Sequence, residues 1–276
     1  MQILLILFLI ILLPAVIFSA YVLTRPKIPK KYPLFQLADN IEDRIVSLFG
    51  QIRQIIDDAF SIYSVYEESS FNELVRTIRN TITEVNQQLE MFDKYYLQFE
   101  NAKVEPRLVD AAKAFSIYRK KQITSANMII NDASLIMKLT SKLHQIQNEG
   151  INRLLPSLNV SNDTLNTEQI LKNIIIQTEE VINSFQNLEI KHDSCKNFRD
   201  HVLKILKKQI DQLNDCLNVV IHNPDQFYSV YNDYSDTWQL FNLNSVTDVI
   251  YDEFSYKDNL YKQTLDELRR RSEYEA

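Results

Sequence analysis

With 276 residues, the chain holds enough for one large domain or two small ones. Gly50 and Gly150 are its only glycines. That scarcity rules out phosphate-cradling loops of the GxGxxG or GxxxxGK type and argues against turn-rich sandwiches, barrels and nucleotide-binding α/β folds. A formal charge of −6, with 24% charged and 45% apolar residues, is too apolar for a disordered chain and too acidic for general nucleic-acid binding.

Residues 3–23, ILLILFLIILLPAVIFSAYVL, carry no charge. As a secretory signal they supply an apolar core at Ile3–Leu13, a break at Pro14 and a cut after Ser19 or Ala20. As a membrane anchor, all of them together are just long enough to cross ~30 Å of hydrocarbon. The missing positive charge before the apolar run and the bulk of Phe18 weaken the signal reading. Arg25, Lys27, Lys30 and Lys31 follow the run, and around a retained anchor they would hold the body in the cytoplasm. Two sequons, Asn159-Val-Ser161 and Asn162-Asp-Thr164, lie in the polar stretch PSLNVSNDTLN, and their loop placement favours the lumenal reading. We therefore expect a signal peptide over 1–20 (or an anchor over 3–23), a Pro/Lys-rich tether over 21–33, and a helical-bundle domain over 34–276.

From Leu34 the apolar spacing is helical. Ile41, Ile45, Leu48, Ile52, Ile55, Ala59, Ile62 and Tyr66 step by four and three. Glu67 to Ser70 interrupt the stripe, and Ser70 with Glu73 forms the pattern of a capping box. A second stripe runs Phe71, Val75, Ile78, Ile82, Val85, Leu89, Phe92, Tyr96, Phe99, up to a boundary near Pro106. The third helix, weaker in heptad terms, opens on Leu108, Ala112 and Phe115. It continues through Ile129, Ile136 and Leu143, and Gly150 and Pro156 are expected to close it. Asn166 is the expected cap of a fourth, with Leu171, Ile174, Val181 and Phe185. Leu203, Leu206, Ile210, Leu213, Leu217 and Val220 mark a fifth, with His192-Asp193-Ser194 as a bend or a polar face before it. Pro224 ends that element, and a last helix is expected at about 245–272. Each stripe can be buried only against another helix. The spacing therefore predicts an all-α fold, above ~70% helix against a usual third. Its expected form is an elongated bundle of about five long, mostly antiparallel amphipathic helices.

Candidate chemistry is thin. His144, His192, His201 and His222 form no HExxH motif. His192, Asp193 and Cys195 offer part of a zinc set with no second cluster to complete it. A Cys195–His192 thiolate pair lacks an oxyanion site and an orienting group. On one continuous helix Cys195 and Cys216 would stand ~31 Å apart, far beyond the ~7 Å a disulfide spans, so free buried thiols are expected, or a bridge between chains. Neighbouring acids such as Asp57-Asp58 point to different helix sides. The basic runs at Arg119–Lys121, Lys207-Lys208 and Arg269–Arg271 read as solvated faces. No catalytic, cofactor-binding or metal residue is assigned. The aromatic run Phe227, Tyr228, Tyr231, Tyr234, Trp238 is a candidate partner or ligand surface, or else a connector packed on the bundle end.

These features predict a secreted or lumenal, non-enzymatic helical protein that binds other proteins as a scaffold, with Asn159 and Asn162 as glycan acceptors. It needs no cofactor and no nucleic acid, touches a membrane only if the N-terminal segment is uncleaved, and is compatible with a homo-oligomer. Two alternatives stay open: a carrier of a lipid or other apolar ligand, and a single-pass protein with a cytoplasmic coiled-coil body that organises partners.

Overall fold

The structure is a computed structural model that describes residues 27–60, 67–155, 160, 163–237, 244–254 and 260–274. Helix makes up 91% of it, and no strand occurs among the described residues. The chain is all-α. The helices are α1 Tyr32–Ala59, α2 Glu68–Asn101, α3 Pro106–Gln145, α4 Thr164–Gln186, α5 Asp193–His222, α6 Phe227–Thr237, α7 Asn244–Phe254 and α8 Leu260–Tyr274. A π-helical stretch, Ile146–Leu154, continues α3, and a 3₁₀ turn, Pro224–Gln226, leads into α6. The N-terminal apolar segment, Ile62, Tyr66, and both acceptor residues Asn159 and Asn162 lie outside the described residues. Among the described residues, no helix is long and apolar enough to cross a membrane.

The described helices group into two compact units. The first draws on Met1–Asn40, Gln88–Ser116 and Leu260–Ala276. Its core holds Leu34, Phe92, Phe99 and Phe115, with Phe92 and Phe115 packed at 5.1 Å between ring centroids. Tyr95 donates to the Lys30 carbonyl at 3.0 Å, and Lys31 pairs with Glu105 at 2.8 Å, which fastens the end of the tether to this unit. Arg269 of α8 reaches Asp39 at 2.6 Å and lies over the Phe35 ring, so this member of the basic run is engaged rather than merely solvated.

The second unit comprises Ile41–Gln87 and Ile117–Asn259. Ile45, Ile52, Ile78, Val85, Ile129, Ile136 and Leu213 are all at most 1% exposed, as the helical spacing requires. The seam of α5 differs from the expected one. Its buried row is Val202, Leu206, Gln209, Leu213, Cys216 and Val220, while Leu203, Ile210 and Leu217 are half-buried at its edge. Leu206, Leu213 and Val220 are buried as the spacing predicts, and only the alternate positions shift by one residue, two of them to a polar Gln and a thiol.

Other boundaries also shift. α2 begins at Glu68, so Ser70 is its third residue and not its cap. Glu73 reaches Arg76 at 3.7 Å. α4 begins at Thr164 behind Asp163, leaving Asn166 inside the first turn. Gly150 does not close α3 but sits within the π-helical stretch, where an added Cβ would meet the Ile174 side chain at 3.3 Å. Close approach to α4, not chain termination, is what the missing side chain serves. The expected last helix is two helices, α7 and α8, with residues 255–259 between them outside the description.

Candidate functional site

Every helix leaves carbonyls unpaired at its C-terminus and amides unpaired at its N-terminus, and a buried helix end must find partners for them. Within the second unit, α3 supplies them. It is buried over a wide arc, with Arg119, Gln122, Ser125, Asp132 and Thr140 all inside the core. That explains the weak heptad pattern of its sequence, because polar side chains interrupt an interior surface. Thr140 Oγ1 donates to the carbonyl of Ala59, the last residue of α1, at 2.7 Å. The Asp132 carboxylate accepts from the backbone amides of Lys191 (3.1 Å) and His192 (2.7 Å), the two that lead into α5. Tyr118 Oη and Gln122 Nε2 both donate to the carbonyl of Glu253, near the end of α7, at 3.1 and 3.2 Å.

Around Glu253 these bonds converge into a cluster. His192 Nε2 lies 3.1 Å from Glu253 Oε2 and 2.9 Å from Ser125 Oγ. A carboxylate only accepts, so Nε2 carries the hydrogen and donates to Glu253. Burial raises the Glu253 carboxyl. Hydrogen bonds from His192 and Ser125, with the charges of His192 and Lys121, outweigh it and hold the group below the usual glutamate range. Gln122 relays outward: its Oε1 accepts from Arg119 Nη1 at 2.6 Å, and Arg119 Nε donates to Glu42 Oε1 on α1 at 3.0 Å. Arg119, expected on a solvated face, is fully buried.

Ser125, His192 and Glu253 superficially resemble a nucleophile triad, but the wiring is wrong for one. A relay needs the hydroxyl and the acid on opposite ring nitrogens. Here both meet Nε2, and Nδ1 has no hydrogen-bond partner among the described residues. Because Nε2 already carries a hydrogen, the ring nitrogen that Ser125 meets cannot take the hydroxyl proton. Cys195, one turn beyond His192, is fully buried, and burial with the nearby Asp132 charge pushes its thiol far above the ordinary range. The reactive thiolate is therefore suppressed. Among the described residues, no group of three His, Cys, Asp or Glu side chains is placed to hold a metal ion. The arrangement is suited to locking helices together.

The aromatic run divides. Phe227 and Tyr231 are buried and stacked at 5.9 Å, and Tyr231 Oη donates to the Ile151 carbonyl at 2.9 Å. Ile151 lies within the π-helical stretch, next to the Gly150 carbonyl that accepts from the Leu155 amide. Five residues on from Ile151 stands Pro156, which has no amide hydrogen to offer the Ile151 carbonyl. Tyr228 is 45% exposed. The Tyr234 side chain and Trp238 lie outside the described residues. Sequence reasoning passed over Tyr118, Gln122, Ser125, Asp132 and Glu253. The one signal for the four on α3 is the run of polar residues interrupting its stripe, and Glu253 on α7 has none. Comparison with protein-family models, curated proteins and solved structures finds no match for this chain.

Proposed function

We propose that this is a secreted or lumenal helical protein that works by binding other proteins, as a scaffold, and not by transforming a substrate. The observation that carries this reading is how the second unit uses its interior polar groups. Thr140, Asp132, Tyr118 and Gln122 are engaged in closing helix ends, and the His192 cluster is wired for cohesion. Function then falls to the outer faces of the helices. An elongated bundle of about five long, mostly antiparallel helices suits that role. In support, α1, α2, α3 and α5 have 28, 34, 40 and 30 residues, or about 42–60 Å each at ~1.5 Å per residue.

A carrier of apolar cargo would need an apolar hollow. One groove, between the end of α3 with its π-helical stretch and α4, mixes Ile146 and Val181 with Lys142, Gln145, Glu149, Gln177 and Glu180. Another, between α4 and α5, mixes Ile182 and Ile210 with Glu179, Asn183, Lys207 and Asp211. The charged groups along both disfavour burying a lipid tail there.

Mass spectrometry of the protein from its native source tests the reading. The expected mature chain starts near Ala20 or Tyr21 and carries one glycan, at Asn159 or Asn162. Ser161→Ala with Thr164→Ala together should abolish the glycosidase shift. A full-length, unglycosylated chain that resists carbonate extraction from membranes would overturn the secreted reading in favour of an anchored coiled-coil organiser.

A further inference from the structure

We propose that the tether end of the first unit is a membrane-contact surface: Ile28 and Tyr32 enter the headgroup layer of an anionic bilayer, and the cations around them meet its charged headgroups. The inference goes beyond the binding-protein reading. It assigns a lipid surface to the body of the chain itself and does not need the apolar stretch 3–23 to stay attached.

Three observations carry it. First, two apolar side chains stand in the open among lysines. Of the large apolar residues described, only Leu165 is more exposed than Tyr32 at 73% and Ile28 at 68%. Both lie in the run Lys27-Ile28-Pro29-Lys30-Lys31-Tyr32, where Lys27 and Lys30 are exposed as well. Apolar and aromatic groups mixed with cations suit the interfacial layer of a membrane, where a tyrosine ring and a lysine ammonium are both well solvated.

Second, this run is fastened to the fold. Tyr95 Oη donates to the Lys30 carbonyl at 3.0 Å, and Lys31 Nζ meets Glu105 at 2.8 Å. The Lys31 carbonyl accepts from the Leu34 amide at 3.0 Å as α1 begins. Ile28 and Tyr32 are therefore held beside fixed points, which lowers the cost of ordering them on a surface.

Third, cations from distant stretches gather at the same end. The Lys31–Glu105 pair brings exposed Lys103 and Arg107 to the tether, and Arg269 over the Phe35 ring brings exposed Arg270 to the first turn of α1. Two of the local acids, Asp39 and Glu105, are already taken by Arg269 and Lys31. Exposed Glu100 and Asp110 in the flanking helical turns leave the cations in excess. The whole chain carries −6, so this local excess orients it on an anionic surface. A sulfated glycan would use the same cations but makes no use of Ile28 and Tyr32. That exposed pair points to lipid.

The test is flotation of the chain from Tyr21 onward, its helix content first matched to that of the full-length protein. The vesicles are phosphatidylcholine alone and a phosphatidylcholine–phosphatidylserine mixture. Binding should be at least about tenfold tighter to the mixture and weaken as salt is raised. Lys27→Gln with Lys30→Gln should lose at least about tenfold on the mixture. Ile28→Ser with Tyr32→Ser should lose a similar factor there and leave heparin binding unchanged. These four side chains are exposed, so their loss leaves the core intact. Wild-type binding by the Ile28→Ser/Tyr32→Ser variant overturns the proposal, and so does heparin binding without vesicle binding. Should the shortened chain lose its fold, the full-length chain reconstituted in the same vesicles decides. The amides of Ile28 and Tyr32 must then exchange several-fold more slowly in the anionic vesicles, and equal rates rule the contact out. None of these outcomes bears on the scaffold reading, which has its separate test on the native N-terminus and glycan.

Discussion

Arg119 and Glu42 form an ion pair in the interior of the second unit, the guanidinium 1% and the carboxylate 18% exposed. A buried pair of this kind adds little net stability over an apolar replacement, but losing one partner strands the other charge. Glu42→Ala should therefore cost about 3–5 kcal/mol, and Arg119→Met combined with Glu42→Leu much less. Urea unfolding of Glu42→Leu, Arg119→Met and the double measures the coupling. A double whose loss equals the sum of the two single losses would show that the charges are not coupled.

Glu253 predicts a pH dependence. Its carboxyl is held below the usual range in the folded state, so the folded protein binds fewer protons than the unfolded chain between the two pKa values. The sign follows: the contribution is fully present above the unfolded value of about 4.3 and is lost as pH falls through the folded one. Glu253→Gln should be less stable than wild type near neutrality, with the gap closing below about pH 4. A gap that stayed constant to pH 3 would exclude Glu253 as its source.

Both cysteines are buried and free on α5. Burial, helped by Asp215, pushes Cys216 up to about 11, and Cys195 is pushed further. Iodoacetamide at pH 8 should leave the native protein unlabelled, and unfolding without reductant should expose two reactive thiols per chain. Peptide mapping of a Cys195–Cys216 bridge would mean that α5 is broken.

The turn between α2 and α3 has two non-glycine residues at left-handed φ, Lys103 at 54° and Glu105 at 52°. Glu105 is engaged with Lys31, whereas the Lys103 side chain is exposed. Lys103→Gly should relieve backbone strain and stabilise the protein by about 0.5–1 kcal/mol, after subtracting the greater freedom of glycine in the unfolded chain. Thermal unfolding measures it. A lower midpoint would show that the turn is held by something other than its backbone.

Tyr231→Phe tests the π-helical end. It leaves the Ile151 carbonyl buried without the hydroxyl that now serves it, at a cost of about 1–2 kcal/mol. A neutral substitution would show that another donor reaches that carbonyl.

The helical fold and its core were written in local order. Two glycines, and apolar residues stepping by three and four from Ile41 to Phe99, are enough to demand amphipathic helices and to name Ile45, Ile52, Ile78 and Val85 as interior. Periodicity reports which residues seek burial, and nothing more. The polar residues placed inside were illegible for that reason. Arg119 reads as one of three consecutive cations until Glu42, 77 positions away, is brought beside it. Asp132 looks like any helix-surface acid until the amides of Lys191 and His192, about sixty residues on, need a cap. On α5, Gln209 and Cys216 are buried where Ile210 and Leu217 are expected, and both side-chain polar atoms of Gln209 lack a hydrogen-bond partner among the described residues. Arg119 and Asp132 belong in the core because distant groups complete their hydrogen bonds, and that completion exists only after the helices have packed.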